Sequence, residues 1–157
     1  MKSIATQTTD LPTNTYLYIN VLSIKLVMEE KTVQDYCRTI DKLDQGEGVR
    51  SKDIAKALNL SKNTIALTLQ KLVLAEFIEM KRYGKIKLSQ KGAKIAKEMN
   101  FKHRVLESFL FSKLNLDKKR IHQEACALEH WISDDTIQRL YDFIGKPKYD
   151  PHGREIL

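Results

Sequence analysis

The sequence has few of the residues that build disulfide scaffolds or frequent turns. Two cysteines, Cys37 and Cys126, occur among 157 residues, so a disulfide framework is excluded and both thiols remain available as metal ligands. Glycine and proline, the residues that favour tight turns, are few: the chain has six and three of them. We therefore expect a mainly helical protein.

Long apolar runs are also missing. The start of the chain is polar between Thr6 and Asp10 and lacks the apolar core of a signal peptide. The apolar-rich segment from Tyr16 to Met28 is interrupted by polar residues and is too short to span a bilayer. Its pattern fits either a buried strand or an apolar helix. We expect a cytoplasmic protein that has no membrane partner.

Basic charge is concentrated in one part of the chain. Between Arg50 and Lys97 there are twelve Lys or Arg against three acids, a net charge of +9, whereas the whole chain carries +7. Such a segment suggests a polyanionic partner, most simply nucleic acid. A solvated, lysine-rich surface is the alternative.

The spacing of apolar residues predicts three helices in the first half of the chain. The first runs from Glu29 to Leu43, the second from Ser51 as its N-cap to about Leu58, and the third follows Ser61 as its N-cap. Helices two and three form a helix-turn-helix pattern. Their polar groups, which suit phosphates and base edges, predict DNA contacts at Ser51, Lys52, Ser61, Lys62, Asn63, Thr64, Thr68 and Lys71.

A basic β-hairpin is predicted next. Alternating residues from Phe77 to Arg82 and from Lys85 to Leu88 flank the turn residues Tyr83-Gly84. The hairpin adds Arg82 and Lys85 to the predicted DNA contacts. A helix-turn-helix with a basic hairpin is a winged helix-turn-helix, which favours DNA binding over a small α+β domain with another role.

Capping residues predict three further helices: Ser89 to about Ser112, Asp117 to His130 or Trp131, and Ser133 to Ile144. The tail from Lys148 to Leu157 shows no clear element. The predicted fold is thus mainly α, with an N-terminal winged helix-turn-helix followed by an all-helical domain. We divide the chain into an N-terminal extension (1–30), a DNA-binding domain (31–95) and a helical domain for metal binding and dimerisation (96–157).

Metal-ligand side chains gather in the helical half. His103 and Glu107 have i, i+4 spacing, and His122 on an adjacent antiparallel helix could complete a site with them. A second set follows about one turn further along: Cys126, Glu129 and His130. A lone His/Glu pair is usually a surface pair, but three of four histidines at ligand spacing favour a metal site.

These motifs resemble the metal-dependent repressors of the diphtheria-toxin-repressor and manganese-transport-regulator family. The motifs that carry the resemblance are Tyr36-Cys37-Arg38-Thr39-Ile40, His103-Arg104-Val105-Leu106-Glu107, the run His122 to His130, Trp131-Ile132-Ser133-Asp134 and Pro151-His152-Gly153. The resemblance covers about 31–156, the two-domain form without an SH3-like domain, and leaves 1–30 without a counterpart. It implies a homodimer that binds a pseudo-palindromic, double-stranded DNA operator.

The resemblance also implies ligand roles. The primary, regulatory site would comprise Asp35, Cys126, Glu129 and His130. The ancillary site would comprise His103, Glu107 and His122. Asp35 with Cys126 mixes a manganese-type with an iron-type ligand, so we expect Mn(II) or Fe(II), with Zn(II), Co(II) or Ni(II) possible in vitro.

Two residues depart from the family pattern. Arg38 stands where manganese-type members have a carboxylate, which argues against a second ion at that place. Leu67 occupies a position that is polar and contacts bases in some members, so the operator sequence cannot be inferred from the family.

The ligand set implies a mechanism. Asp35 belongs to the DNA-binding half and the other primary ligands to the helical half, so a bound metal would restrain the first helix and set the spacing of two recognition helices. Candidates for the dimer face, or alternatively for an intrachain core, are Phe109, Leu110, Phe111 and Trp131. Two alternatives stay open: a DNA-binding protein with a purely structural metal, and a small metalloenzyme. No separate general base stands out, so we expect no enzyme.

Overall fold

The computed structural model describes residues 28–80 and 84–156. The predicted N-terminal extension up to Val27 and the hairpin-tip residues Lys81 and Arg82 lie outside the described residues. The elements are α1 (Glu30–Leu43), β1 (Val49–Arg50), α2 (Ser51–Leu58), α3 (Lys62–Leu74), β2 (Ile78–Met80), β3 (Lys85–Leu88), α4 (Gln90–Leu114), α5 (Lys118–Leu128) and α6 (Asp134–Phe143). Within the described part, no helix combines the length and apolar character needed to cross a membrane.

Side-chain caps begin most of the helices where the sequence predicts. Ser61, Ser89, Asp117 and Ser133 each accept a hydrogen bond from a backbone N–H of the first turn. The prediction for Ser51 was wrong, because Arg50 takes the N-cap position and makes no side-chain cap. Ser51 is the first helical residue instead.

The first unit is a winged helix-turn-helix. α1, α2 and α3 pack on a three-stranded antiparallel sheet with strand order β1-β3-β2. Strand β1 was not predicted, because two residues are too few to show alternation. In the sheet Val49 lies opposite Ile86, and both side chains are buried. The core of this unit consists of apolar side chains from α1 to α3, the sheet and the start of α4.

Helix α4 joins the two units. Its first half buries Ala96 in the first core, and its second half buries Val105 in a second core with α5 and α6. Gly92 lies so close to the chain before β2 that a Cβ atom would stand 2.1 Å from the carbonyl oxygen of Phe77. A glycine is therefore required there, and the start of α4 is fixed against the winged helix-turn-helix unit.

The helical unit differs from the prediction at two places. Helix α5 ends at Leu128, whose carbonyl accepts from the N–H groups of Trp131 and Ile132, so Glu129 and His130 lie in a turn. The C-terminal tail, predicted to lack an element, pairs Tyr149 with Glu155 in a small antiparallel bridge. This tail hairpin returns the chain to the second core.

Candidate metal centre and DNA-facing surface

Polar side chains from three elements meet where the two units join. They come from α1 (Asp35 and Arg38), from α4 (His103 and Glu107) and from α5 with its following turn (His122, Cys126, Glu129 and His130). Glu107 and Glu129 are 0% and 1% exposed. Buried carboxylates are costly unless they are paired or bind a metal, so each partner in this region matters.

We call Asp35, Glu129 and His130 the interface cluster, because Asp35 lies on α1 and the other two follow α5. His130 Nε2 lies 3.1 Å from Asp35 Oδ1 and 3.7 Å from Glu129 Oε1. One donor atom of each residue lies within 4.8 Å of the others. Metal–ligand bonds of about 2.0–2.2 Å join donor atoms separated by up to about twice that length, so small adjustments would let all three share one ion.

Gln34 fixes the chemical state of His130. The amide oxygen of Gln34 lies 2.7 Å from His130 Nδ1 and can only accept, so Nδ1 carries the hydrogen and Nε2 presents its lone pair to the two carboxylates. Burial lowers the pKa of His130, despite the attraction of Asp35, and favours the neutral ring. The Nε2 lone pair of His130 and the carboxylate oxygens of Asp35 and Glu129 thus face one another with no hydrogen between them. Such a set of electron-pair donors fits a divalent cation.

Arg38 is a cation that already contacts the interface cluster. Its Nη1 donates a short hydrogen bond to Glu129 Oε1. The other oxygen of Glu129 lies 2.7 Å from His103 Nδ1. Glu129 is thus held by a side chain of the winged helix-turn-helix unit and by one of the helical unit, and it links the interface cluster to a second group.

This second group, the helical cluster, consists of His103, His122 and Cys126. His103 Nε2 lies 3.2 Å from His122 Nδ1, and Cys126 Sγ lies 3.9 Å from His122 Nε2. One donor atom of each lies within 4.8 Å of the others. Glu107 Oε1 lies 2.9 Å from His103 Nε2 and 3.0 Å from His122 Nδ1, so the predicted ancillary residues do meet.

The ionisable groups of the helical cluster alter one another. Burial opposes a charge on His103, but hydrogen bonds to Cys126, Glu107 and Glu129 outweigh it and raise the pKa of His103 to about 10. Burial also opposes the charge on Glu107, yet the bond from His103 prevails and brings the pKa of Glu107 to about 2. Despite burial, His103 lowers the pKa of the Cys126 thiol. In the metal-free chain, a proton on His103 balances the buried carboxylates.

The tail hairpin covers the same group from the other side. Arg154 Nη2 donates to Glu107 Oε2 at 2.9 Å, and His152 Nε2 lies 3.5 Å from Glu107 Oε1. The Arg154 Nε atom also donates to the buried Asp150 at 2.9 Å. Sequence reasoning missed Arg154 because it lies 47 positions from Glu107 and belongs to no periodic element.

The structure divides the donors differently from the predicted ligand sets. Cys126 lies with His103 and His122, whereas the prediction placed it with Asp35. The reason is the end of α5 at Leu128: Cys126 stays on the helix face one turn after His122, while the following turn directs Glu129 and His130 towards α1. The contact of Gln34 with His130 was not predicted, because glutamine is not a typical metal ligand and the two residues are far apart in sequence.

Most of the predicted DNA contacts that the structure describes are exposed. All of them on α2, α3 and the N-cap of α3 are exposed except the half-buried Thr68. Lys85 on β3 is half-buried and contacts the carbonyl of Gly48 at 3.3 Å, whereas Arg82 lies outside the described residues. A groove beside α2 is lined by four basic residues, Arg50, Lys52, Lys56 and Lys85, and one acidic residue, Asp53. This surface suits a phosphate backbone.

Comparisons with known proteins agree with this architecture. The family described as iron dependent repressor, metal binding and dimerisation domain, matches residues 89–157. An uncharacterized HTH-type transcriptional regulator of Methanocaldococcus jannaschii is 31% identical over 120 residues, which cover 75% of this chain and 96% of that protein. The HTH-type transcriptional regulator MntR of Shouchella clausii is 31% identical over 118 residues, covering 74% and 82% of the two chains.

Structural similarity extends over most of the chain. The manganese regulator SloR superposes with a TM-score of 0.71 at 34% identity, over 79% of this chain and 58% of the SloR chain. A winged helix-turn-helix joined to a helical unit with clustered metal donors defines the class of metal-responsive transcriptional regulators. The chain belongs to the family of metal-dependent repressors that includes MntR. The resemblance found in the sequence is confirmed, and the chain is a regulator and not an enzyme.

Proposed function

We propose that this chain is a homodimeric repressor that binds its operator when a divalent metal occupies the interface cluster. The observation that carries the proposal is the origin of the donors. Asp35 comes from α1 of the DNA-binding unit, and Glu129 and His130 come from the helical unit. An ion held by all three ties the two units together.

A restraint on α1 also restrains the DNA-binding surface, because the buried face of α1 packs in the same core as α3. On that helix Tyr36, Cys37 and Ile40 are buried in the same core as Ile65 and Leu69 of α3. A displacement of Asp35 therefore moves a packed unit and not a single side chain. In a dimer, this sets the separation of two recognition helices, which must match half-sites about one helical turn apart.

The donor set indicates the class of ion. The interface cluster offers two carboxylates and an imidazole, which suit Mn(II) or Fe(II), while the thiol of Cys126 lies in the helical cluster. Nitrogen and sulfur donors of the helical cluster suit Zn(II), Co(II) or Ni(II) as well. SloR is described as a manganese regulator, which agrees with this assignment. Genes of metal homeostasis are the expected targets.

The dimer face lies on the helical unit. Of the four predicted residues, Leu110 is buried in the second core and so is not free to contact a partner, while the half-buried Phe109 packs against that core. Trp131 is 81% exposed and Phe111 43% exposed. These two side chains, and not Leu110, are the candidates for contact with a second copy.

A DNA-binding titration tests the proposal. An operator is selected from random duplexes with the Mn(II)-loaded full chain, and its affinity is measured by anisotropy with chelator and then with Mn(II), Fe(II) or Zn(II). We expect metal to tighten binding by about 5- to 150-fold, the usual range of allosteric coupling. Affinity that does not change with metal, together with a higher melting temperature, would identify a purely structural metal and refute the proposal.

A further inference from the structure

The outward face of α3 is centred on an apolar side chain. Ile65, Leu69 and Leu72 point into the core and define the inner side of the helix. At about 100° per residue, the opposite direction is occupied by Leu67, with Leu74 two turns further along. Leu67 is 62% exposed. A leucine therefore stands at the middle of the helix face that the proposed function places against DNA.

The hydroxyl groups near Leu67 are engaged within the helix. Ser61 Oγ lies 2.9 Å from Thr64 Oγ1, and Thr68 Oγ1 donates to the backbone carbonyl of Thr64 at 2.9 Å. These polar groups have partners without DNA. The exposed side chains that flank Leu67 on the outward face, one turn before and one turn after, are Asn63 and Gln70.

The surroundings of Leu67 favour a nucleic acid and not a second protein. Exposed Lys62 and Lys71 lie on the same helix, and four further basic residues, Arg50, Lys52, Lys56 and Lys85, line the groove beside α2 in the same winged helix-turn-helix. Single exposed leucines are ordinary on protein surfaces. Leu67 is informative because it lies within a basic surface. The partner that complements a basic surface is a polyanion. A nucleic acid is a polyanion that also presents apolar groups, at the edges of its bases.

We propose that Leu67 packs against the C5-methyl group of one thymine in each operator half-site and thereby specifies thymine at that position. The thymine methyl is the apolar group that bases present in the major groove, and cytosine lacks it. The inference rests on the proposed function, because it requires α3 to enter the major groove. It makes Leu67 a specificity-determining residue for the operator.

Uracil substitution tests the contact, since it removes one methyl group and leaves base pairing unchanged. Each thymine of the selected operator is replaced by deoxyuridine in both half-sites, and affinity is measured with the Mn(II)-loaded chain. We expect one position per half-site to weaken binding by about three- to fourfold, which corresponds to about one buried methyl group. Substitution in both half-sites should then weaken binding by about nine- to sixteenfold.

A variant pair assigns the effect to Leu67. Leu67→Ala should bind the thymine and uracil operators equally well at that position, while Leu74→Ala, on the same face and 50% exposed, should keep the wild-type discrimination. The inference is overturned if Leu67→Ala retains the discrimination, or if no thymine is sensitive. In both cases metal-dependent binding would persist, so the proposed function would stand. Failure to select any operator would overturn both.

Discussion

The interface cluster and the helical cluster differ in what they connect. The helical cluster takes its donors from α4 and α5, which already share one core, so an ion there stabilises a unit that is packed without it. The interface cluster takes Asp35 from α1 and Glu129 and His130 from the turn after α5, so an ion there joins two units with separate cores. Under the proposed function, its position between the two units, more than its donor chemistry, is what suits the interface cluster to sense metal.

The two clusters also balance charge differently without metal. In the helical cluster the positive charge is a proton on His103, which the surrounding carboxylates hold. In the interface cluster it comes from fixed cations of α1: Arg38 contacts Glu129, and Lys31 lies 2.7 Å from Asp35. The two clusters are therefore neutralised by different groups, and their variants should respond differently.

The largest effect is expected from Arg38→Gln. Arg38 is 18% exposed and Glu129 1% exposed, so the variant leaves a buried carboxylate with one cationic partner fewer. Removing one member of a buried ion pair costs about 3–5 kcal/mol. We expect a loss of that order in the metal-free chain, measured by urea denaturation with chelator, and a smaller loss with Mn(II).

Arg139→Gln is the matched control for this experiment. Its ion pair with Asp135 lies on the exposed side of α6, so little change is expected. Equal destabilisation of the Arg38 and Arg139 variants, or an Arg38 effect that is identical with and without metal, would contradict the role given to Arg38.

A smaller effect is expected from Gln34→Leu, which removes the acceptor that holds His130 Nδ1–H. Outer partners of ligand histidines typically contribute 10- to 100-fold to metal affinity, and we expect about tenfold here by calorimetry. Nitrogen NMR of His130 should show mixed tautomers in the metal-free variant. Gln138→Leu on α6, whose exposed side chain donates a hydrogen bond to Asp142 on the same helix, should leave both readouts unchanged. An unaltered tautomer in Gln34→Leu would remove the basis of this assignment.

The smallest effect is expected from a change of pH. The folded pKa of His103 is raised to about 10, so its contribution to stability is fully present below pH 6.5 and is lost as pH rises towards 10. Glu107 has a folded pKa of about 2, so its contribution is fully present above pH 4.5 and is lost as pH falls towards 2. Urea denaturation of the chelated chain should show their combined contribution at its maximum between about pH 4.5 and 6.5. A His103 ring that titrates near 6.5 by NMR would contradict it.

Local signals allowed much of the fold to be predicted from sequence. Capping residues such as Ser61 and Asp117 fixed the starts of helices, and helical spacing identified the buried face of α1. The end of α5 could not be predicted, because Glu129 and His130 continue the helical spacing of Cys126 although the backbone turns there. Contacts between distant parts of the chain were also out of reach. Arg38 and Glu129 are 91 positions apart, and no periodicity relates them.

The coupling between the two units is tested most directly by measuring metal affinity with and without operator DNA. Thermodynamic linkage requires DNA to raise metal affinity by the same factor as metal raises DNA affinity. We predict this reciprocal increase, about 5- to 150-fold, for the wild-type chain and for His122→Gln in the helical cluster. Asp35→Asn in the interface cluster should abolish it. Full reciprocal coupling in Asp35→Asn, or its loss in His122→Gln alone, would contradict the account.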